Sequence, residues 1–545
     1  MKHIAILLIL CGSLATAQQW TWIHGANELD HEGHYGEQGV ESAENMPPAR
    51  ASFASGISGD SIIYVFGGVA TYGYKGDLWK YSIPRNQWTW VSGSKEDDTP
   101  VVFGPRGVPT DSAQPGSRMD HAGWVDRDGN VWIFGGLTER GHTNDLWRYS
   151  PITQQWTWMH GSRETGGPGT YGERTVPDTA NTPGGRDCAT TWVDSDGNLW
   201  LFGGVAWDSE SEIGVRNDLW RYDTETYQWT WMHGSQETMN LGVYSKEVNP
   251  ANTPSAREGA QSWVTEDGII YLYGGFRSWT TEPEPGFHND LWSYDGSNNQ
   301  WLWLSGSKSL NSEYFLGTST PGIPHEATNP GCRSFGTTWV DAEGRLWLFA
   351  GLYRYIKIQY YRNETVNALY MYDPQNGLWT YFFGEMSETQ AECGELGISS
   401  PSNKPGSRSY TSAWCLLDGS VLMFGGRGLI NRYSEGLMND LWSLKPPDVV
   451  GVELISTVPE AYSISIAPNP VTGVATINYS FGSTTKITLQ LHNQLGERVA
   501  LISEGWQDPG LQTTQLNTAH LPSGTYYLRL SSATETKTRK MQIVK

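Results

Sequence analysis

The segment best furnished to hold a ligand is Leu352-Tyr353-Arg354-Tyr355-Ile356-Lys357, followed closely by Tyr360-Tyr361-Arg362. Aromatic faces give contact area with a polar handle, and guanidinium groups grip anions as a two-pronged fork. Of 27 tryptophans, only Trp207, Trp279 and Trp506 fall outside the periodic pattern described below. An indole at Trp207 or Trp279 suits stacking on a sugar or a peptide. With Arg333 upstream, the candidate ligand residues are Trp207, Trp279, Arg333, Tyr353, Arg354, Tyr355, Tyr360 and Tyr361. No nucleophile-elbow or phosphate-loop motif is present, so no catalytic residue is assigned.

Metal ligands are scarcer. His31 and His34, with Asp30, Glu32 and Glu37, have a workable ligand spacing but lie in one loop, and no metal or cofactor is predicted from them. Calcium and copper remain open. Asp126-Arg127-Asp128-Gly129-Asn130 and Asp194-Ser195-Asp196-Gly197-Asn198 have calcium-loop composition without the downstream bidentate Glu, and Asp-Gly is what a tight hairpin wants. His24, His160 and His233 recur at one position after a strand, which predicts a structural role.

These residues sit on a repeat. Arg50, Arg118, Arg186, Arg257, Arg333 and Arg408 are each followed 17 positions later by a doublet, Gly-Gly in five copies and Ala350-Gly351 in the fifth. Six equal spacings mean six copies of one supersecondary unit. In one copy, Arg118 opens a strand running through Val125, an Asp-Gly turn follows, and Val131–Phe134 ends at Gly135-Gly136. After a loop come Asn144–Tyr149 and Gln155–Trp158, giving four antiparallel strands, a to d. Each c strand opens with an Asp placed to pair with the Arg of its copy, except in the fifth, where Ala368 stands instead. The ends complement each other: Gln19-Trp20-Thr21-Trp22 is a d strand without a copy, and the last copy stops at Trp442 without a d strand. Pairing them would close the array and remove an exposed edge.

The Gly doublet, aromatic c strand and d-strand Trp resemble the kelch family. The resemblance implies an all-β, six-bladed kelch-like β-propeller over residues 18–445, with the N-terminal strand closing blade six. It also implies that d–a and b–c loops share one face. The d–a loops are long throughout, and those between Gly204 and Asp218 or Gly351 and Ala368 extend the b–c side, so all elaboration lands on that face. Long loops on a rigid scaffold carry function. The d–a loops share Gly33-His34-Tyr35-Gly36 and Gly169-Thr170-Tyr171-Gly172, which fits a packed collar; the irregular b–c loops read as binding loops. The family also contains copper-radical oxidases and sugar isomerases, although no set of two His, two Tyr and a Cys stands out here.

The net charge of −21 without a basic cluster excludes nucleic acid as a partner. Lys2 and His3, the apolar run Ile4–Leu10 and Ala15-Thr16-Ala17 read as a signal peptide over residues 1–17, and Leu10 before Cys11 argues against a lipid anchor. No stretch approaches the roughly 20 apolar residues of a membrane span. Among the remaining cysteines, Cys332 and Cys393 are the candidates for a disulfide, while Cys188 and Cys415 read as buried thiols within strands. Pro446-Pro447 opens a linker over 446–461. Residues 462–545 alternate like a small C-terminal β-sandwich. Pro468-Asn469-Pro470, Leu521-Pro522-Ser523-Gly524-Thr525-Tyr526-Tyr527-Leu528 and the terminal Lys540–Lys545 resemble the type A C-terminal sorting domain of the type IX (Por) secretion system. That resemblance implies export to the medium or the outer cell surface, with the secretion machinery as a partner. The expected function is binding of an extracellular glycan or protein; a carbohydrate-active enzyme and a structural adhesin are the alternatives.

Overall fold

The computed structural model describes residues 19–545 apart from 60, 208–212, 279–284, 313–319, 358–359, 432–433, 448–461, 468, 470, 482–483, 495–496, 508–509 and 533–535. For 354–363 and 430–434 the account extends at most to the backbone. The expected signal peptide, Cys11 and Trp279 lie outside the described residues. The chain divides into two units, 1–450 and 451–545, and no described helix is long and apolar enough to cross a membrane.

In the first unit each copy folds into an antiparallel sheet of four strands, joined by a short fifth in copy five (Pro324–His325) and in copy six (Arg408–Ser409). The second copy runs Ala122–Val125, Val131–Phe134, Leu146–Ser150 and Gln155–His160. The alternating aromatic and β-branched residues bury both faces, so Val131, Trp132, Ile133 and Phe134 are all buried. Six such sheets lie among the described residues, and in the sixth Gln19–His24 supplies the d strand, pairing Gln19 with Lys445 and Trp22 with Trp442.

The Gly doublet is the fastener between copies. Its second amide donates to the carbonyl of the next copy's Arg at 2.8–3.0 Å: Gly68 to Arg118, Gly136 to Arg186, Gly204 to Arg257, Gly275 to Arg333, Gly351 to Arg408 and Gly426 to Arg50. The last of these closes the chain of links. Gly68 has φ +95°, and a Cβ there would stand 2.5 Å from the Ala51 carbonyl oxygen, so glycine is required twice over.

Aromatic joints run in parallel. The residue before each doublet meets the d-strand Trp of the next sheet: Phe66 with Trp156 at 5.2 Å, Phe134 with Trp229 at 5.3 Å, and Phe349 with Trp20 at 5.4 Å. Each pair adds about 0.5–1.5 kcal/mol beyond area burial. Trp20, 1% exposed, takes the place of the Trp the sixth copy lacks.

Two expectations are corrected. Strand a does not start at the Arg: in copy two it starts at Ala122, because the residue two positions after the Arg turns to positive φ and breaks the extended run. Cys332 and Cys393 form no disulfide with each other, and neither they nor Cys188 and Cys415 are disulfide-bonded.

The second unit packs two antiparallel sheets around a core that includes Ile477, Leu489, Leu491, Leu528, Leu530 and Met541. One sheet holds Tyr462–Ala467, Val474–Phe481 and Gly510–Asn517. The other orders Arg498–Gln507, Thr485–Asn493, Gly524–Ser531 and Thr536–Ile543. Trp506 is 71% exposed on its surface.

Candidate functional site

Most chemistry-bearing residues of the repeat serve its architecture. In five copies the Arg and the c-strand Asp form a buried, two-pronged pair, such as Arg50–Asp77 at 2.7 and 2.8 Å and Arg186–Asp218 at 2.8 and 2.8 Å. The same guanidinium donates to the doublet carbonyl, at 3.0 Å for Gly67 and Gly203. The Asp also accepts from the indole two residues on, as from Trp79 at 2.7 Å. Burial pushes these carboxyls up, but the guanidinium and the added donors outweigh it, holding Asp77, Asp145 and Asp290 low and Asp218 at about 2.

The d–a loops cap these joints. Tyr35, Tyr171 and Tyr244 each donate a phenol proton to the Asp, at 2.7, 2.7 and 2.8 Å. The recurrent loop tyrosine is therefore a collar, and copy two carries Phe103 instead, its ring tilted against Trp147 at 5.3 Å. His24, His160 and His233 are structural as expected: each accepts from the next amide at 2.8 Å, and burial lowers all three. Asp126 and Asp194 cap their own hairpins, each also accepting at 2.7 Å from the indole six residues on.

Copy five departs. Arg333 is wholly buried, and no carboxylate pairs with it among the described residues. It donates to the Ala350 carbonyl at 3.2 Å and to that of Pro330, and lies over the Tyr370 ring at 5.0 Å. Tyr353 pairs with Arg333 across a two-stranded bridge and is buried. Arg354, Tyr355, Tyr360 and Tyr361 lie on the hairpin Leu352–Lys357 and Tyr360–Thr365, with Tyr355 opposite Arg362. Their side chains lie outside the description. Trp207 ends Val205–Trp207, half-buried, opposite Ile213.

A convergent site lies elsewhere. Two positions after each Arg stand Ser52, Asp120, Cys188, Gly259, Phe335 and Tyr410, all with φ between 52° and 58°. From Asp120 on, the amide of each donates to the carbonyl of the one before: Asp120 to Ser52 at 2.9 Å, Cys188 to Asp120 at 2.8 Å, Gly259 to Cys188 at 3.0 Å, Phe335 to Gly259 at 2.9 Å and Tyr410 to Phe335 at 3.1 Å. The result is a ring of six residues, bonded in series from Ser52 to Tyr410, that lines an opening of about 260 Å³ on the array axis. Five of the six are not glycine, although an L-residue in left-handed φ costs roughly 1–2 kcal/mol. Strain of this kind, kept where glycine would relieve it, marks functional sites.

Phe335 and Tyr410 stack at 4.1 Å and 25°, and a Cβ on Gly259 would meet the Phe335 ring at 2.4 Å. Asp187, Cys188 and Glu258 bring a carboxylate oxygen, a sulfur and a second carboxylate oxygen within 4.8 Å of one another. His142 reaches Asp187 at 2.9 Å. Burial and the neighbouring acids push Asp120 and Glu258 each to about 7, and burial with the same acids drives the Cys188 thiol well up. Asp120 and Cys188 still touch the opening, so water tempers these shifts. Sequence reasoning read Cys188 as a strand thiol; the signal it passed over was a column of six unlike residues inside an otherwise uniform repeat.

Residues 106–320 match the KLHDC2/KLHL20/DRC7 kelch-repeats domain, and residues 465–545 match the secretion system C-terminal sorting domain. The chain is 29% identical over 219 residues to multiple epidermal growth factor-like domains protein 8 of Homo sapiens, which is 39% of this chain and 6% of that protein. It is 23% identical over 284 residues to N-acetylneuraminate epimerase 1 of Escherichia coli O6:H1, covering 48% of this chain and 61% of that one. The chain thus spans less than two thirds of either relative. A solved structure titled "Structure of YjhT" aligns with TM-score 0.43 and 16% identity, covering 75% of this chain and 95% of that one.

Proposed function

We propose that this chain, a kelch-repeat protein carrying a secretion system C-terminal sorting domain, is exported to bind an extracellular glycan at its axial opening. The observation that carries the reading is the stacked Phe335–Tyr410 pair on left-handed backbone, which lines the same opening of about 260 Å³ as Asp120, with Glu258 next to the lining residue Gly259. An aromatic wall takes the apolar face of a sugar ring, and carboxylates accept from its hydroxyls. The volume sits near the lower end of the ~300–1,000 Å³ usual for small-molecule sites, which suits the end of a chain. Clustered acids favour a neutral or cationic sugar over an acidic one. In this reading residues 1–17 are the signal peptide and 446–461 a linker. Trp207, Trp279, Tyr353, Arg354, Tyr355, Tyr360 and Tyr361 belong to the b–c loops that extend the contact outward, with Arg333 beneath them as support.

The test is a glycan array on the purified chain followed by calorimetry. Tyr410→Gly relieves the left-handed backbone while removing the aromatic face, so it is expected to weaken binding at least about tenfold, as loss of a central aromatic anchor does, without lowering the melting temperature. Array silence, with binding only to a protein partner, would overturn the glycan assignment.

A second reading, proton transfer on a bound sugar, is favoured by Asp120 and Glu258 lying at about 7, where a general acid or base works best. One relative is named as an epimerase of N-acetylneuraminate. Solvent-deuterium incorporation into array-positive sugars, abolished in Asp120→Asn, would establish it; none with the wild type would retire it.

A further inference from the structure

We propose that Asp187, Cys188 and Glu258 hold a divalent cation of the zinc class at the rim of the axial opening. Their three ligand atoms lie within 4.8 Å of one another. Zinc bonds of ~2.0–2.3 Å imply ligand–ligand separations of roughly 3.3–3.8 Å, which small side-chain rotations reach. Asp187 and Cys188 are consecutive, and Glu258 belongs to the next copy. The Gly259 amide bonded to the Cys188 carbonyl at 3.0 Å brings the two copies together at that point. The donor set therefore rests on ring backbone rather than on loop tips.

Charge supports the assignment. Elsewhere in the array the buried c-strand acids are answered by an arginine. Here Asp120, Asp187 and Glu258 gather around one thiol, and among the described residues none is ion-paired to a Lys or Arg. Glu258 is 9% exposed, and its carboxylate has Ser278 and the Cys188 thiol as hydrogen-bond partners but no cationic one among the described residues. A cation supplies what is lacking. The sulfur selects zinc-like ions over calcium or magnesium, which prefer all-oxygen sites. His142, at 2.9 Å from Asp187, fixes that carboxylate from outside, as partners behind metal ligands do.

The site goes beyond the glycan reading and does not rest on it, since a cation is held whether or not a sugar enters. Co²⁺ titrated into the chelator-treated full chain, without sugar, reads it directly. We expect one saturable equivalent with a near-ultraviolet thiolate-to-cobalt band that zinc abolishes. Cys188→Ser should lose that band, and Glu258→Gln should weaken affinity at least about tenfold, both with unchanged circular dichroism. A band that survives Cys188→Ser, which would place the metal on another cysteine, or no saturable binding at millimolar Co²⁺, would overturn the proposal. Glycan binding measured with and without chelator tells failure here from failure of the glycan reading.

Discussion

The five Arg–Asp joints and the acids of the axial ring are built from the same chemistry and do opposite things. At each joint a buried carboxylate meets a guanidinium in a two-pronged pair, and Asp77 also takes a Tyr and a Trp donor. At the ring, Asp120, Asp187 and Glu258 crowd one another around Cys188. The first arrangement lowers carboxyl affinity for protons and the second raises it. Structure is fastened where charges are answered within one copy. A site is left where acids from three copies gather beside the axial opening with no arginine or lysine among the described residues to pair with them.

The sharpest way to break this comparison is to remove one acid from each region. Asp218→Ala strands Arg186 without a partner and is expected to cost about 3–5 kcal/mol in urea unfolding. Asp187→Ala is expected to cost little or to stabilise metal-free protein; an equal cost at both positions would erase the distinction. Gly259→Ala comes next, at about 2–3 kcal/mol, because φ +57° and the Phe335 ring both oppose a methyl group. It should also displace Phe335 and weaken glycan binding. Tyr171→Phe deletes one bond to a carboxylate, an expected loss of about 1.5–2 kcal/mol, and copy two, with Phe103, shows that the array tolerates it.

The remaining contrast is a pH slope. Asp120 and Glu258 bind protons more tightly folded than unfolded, so the stability they contribute is present below about pH 4 and lost as pH rises to about 7. The joint acids contribute in the other direction: Asp218, at about 2 against its ordinary 3.8, adds stability above pH 4 that is lost as pH falls toward 2. Without metal, Asp120→Asn with Glu258→Gln should flatten the slope between pH 4 and 7 and leave the acid limb unchanged. A double variant that keeps the neutral slope would place its source elsewhere.

What the sequence made legible follows the same division. The Arg-to-doublet spacing, the Arg–Asp pairing and its loss at Ala368 are relations within one copy, over 17 and 27 residues in the first. The orphaned d strand at Trp20 was legible because a missing member of a regular series declares itself. Asp120, Cys188 and Glu258 were not, since each meets its neighbours through ring backbone whose turn at positive φ leaves no residue-type signature: serine, aspartate, cysteine, phenylalanine and tyrosine all adopt it. The Cys332–Cys393 pairing failed for a related reason. Cys332 contacts the Ser312 carbonyl, whereas Cys393 packs with the cluster around Trp20 and Trp442.

The seam made by Gln19–His24 also sets how the molecule bears load. Gln19 and Lys445 face each other at the same end of an antiparallel pair. A pull applied to both ends of the array would peel that pair one rung at a time, the weakest way to stress a ladder. A pull transmitted only through Lys445 falls on a strand flanked on both sides, by Val421–Asn431 and by Gln19–His24, which share the strain. An array tethered by its C-terminal side alone can therefore resist drag that would unfasten one held at both termini.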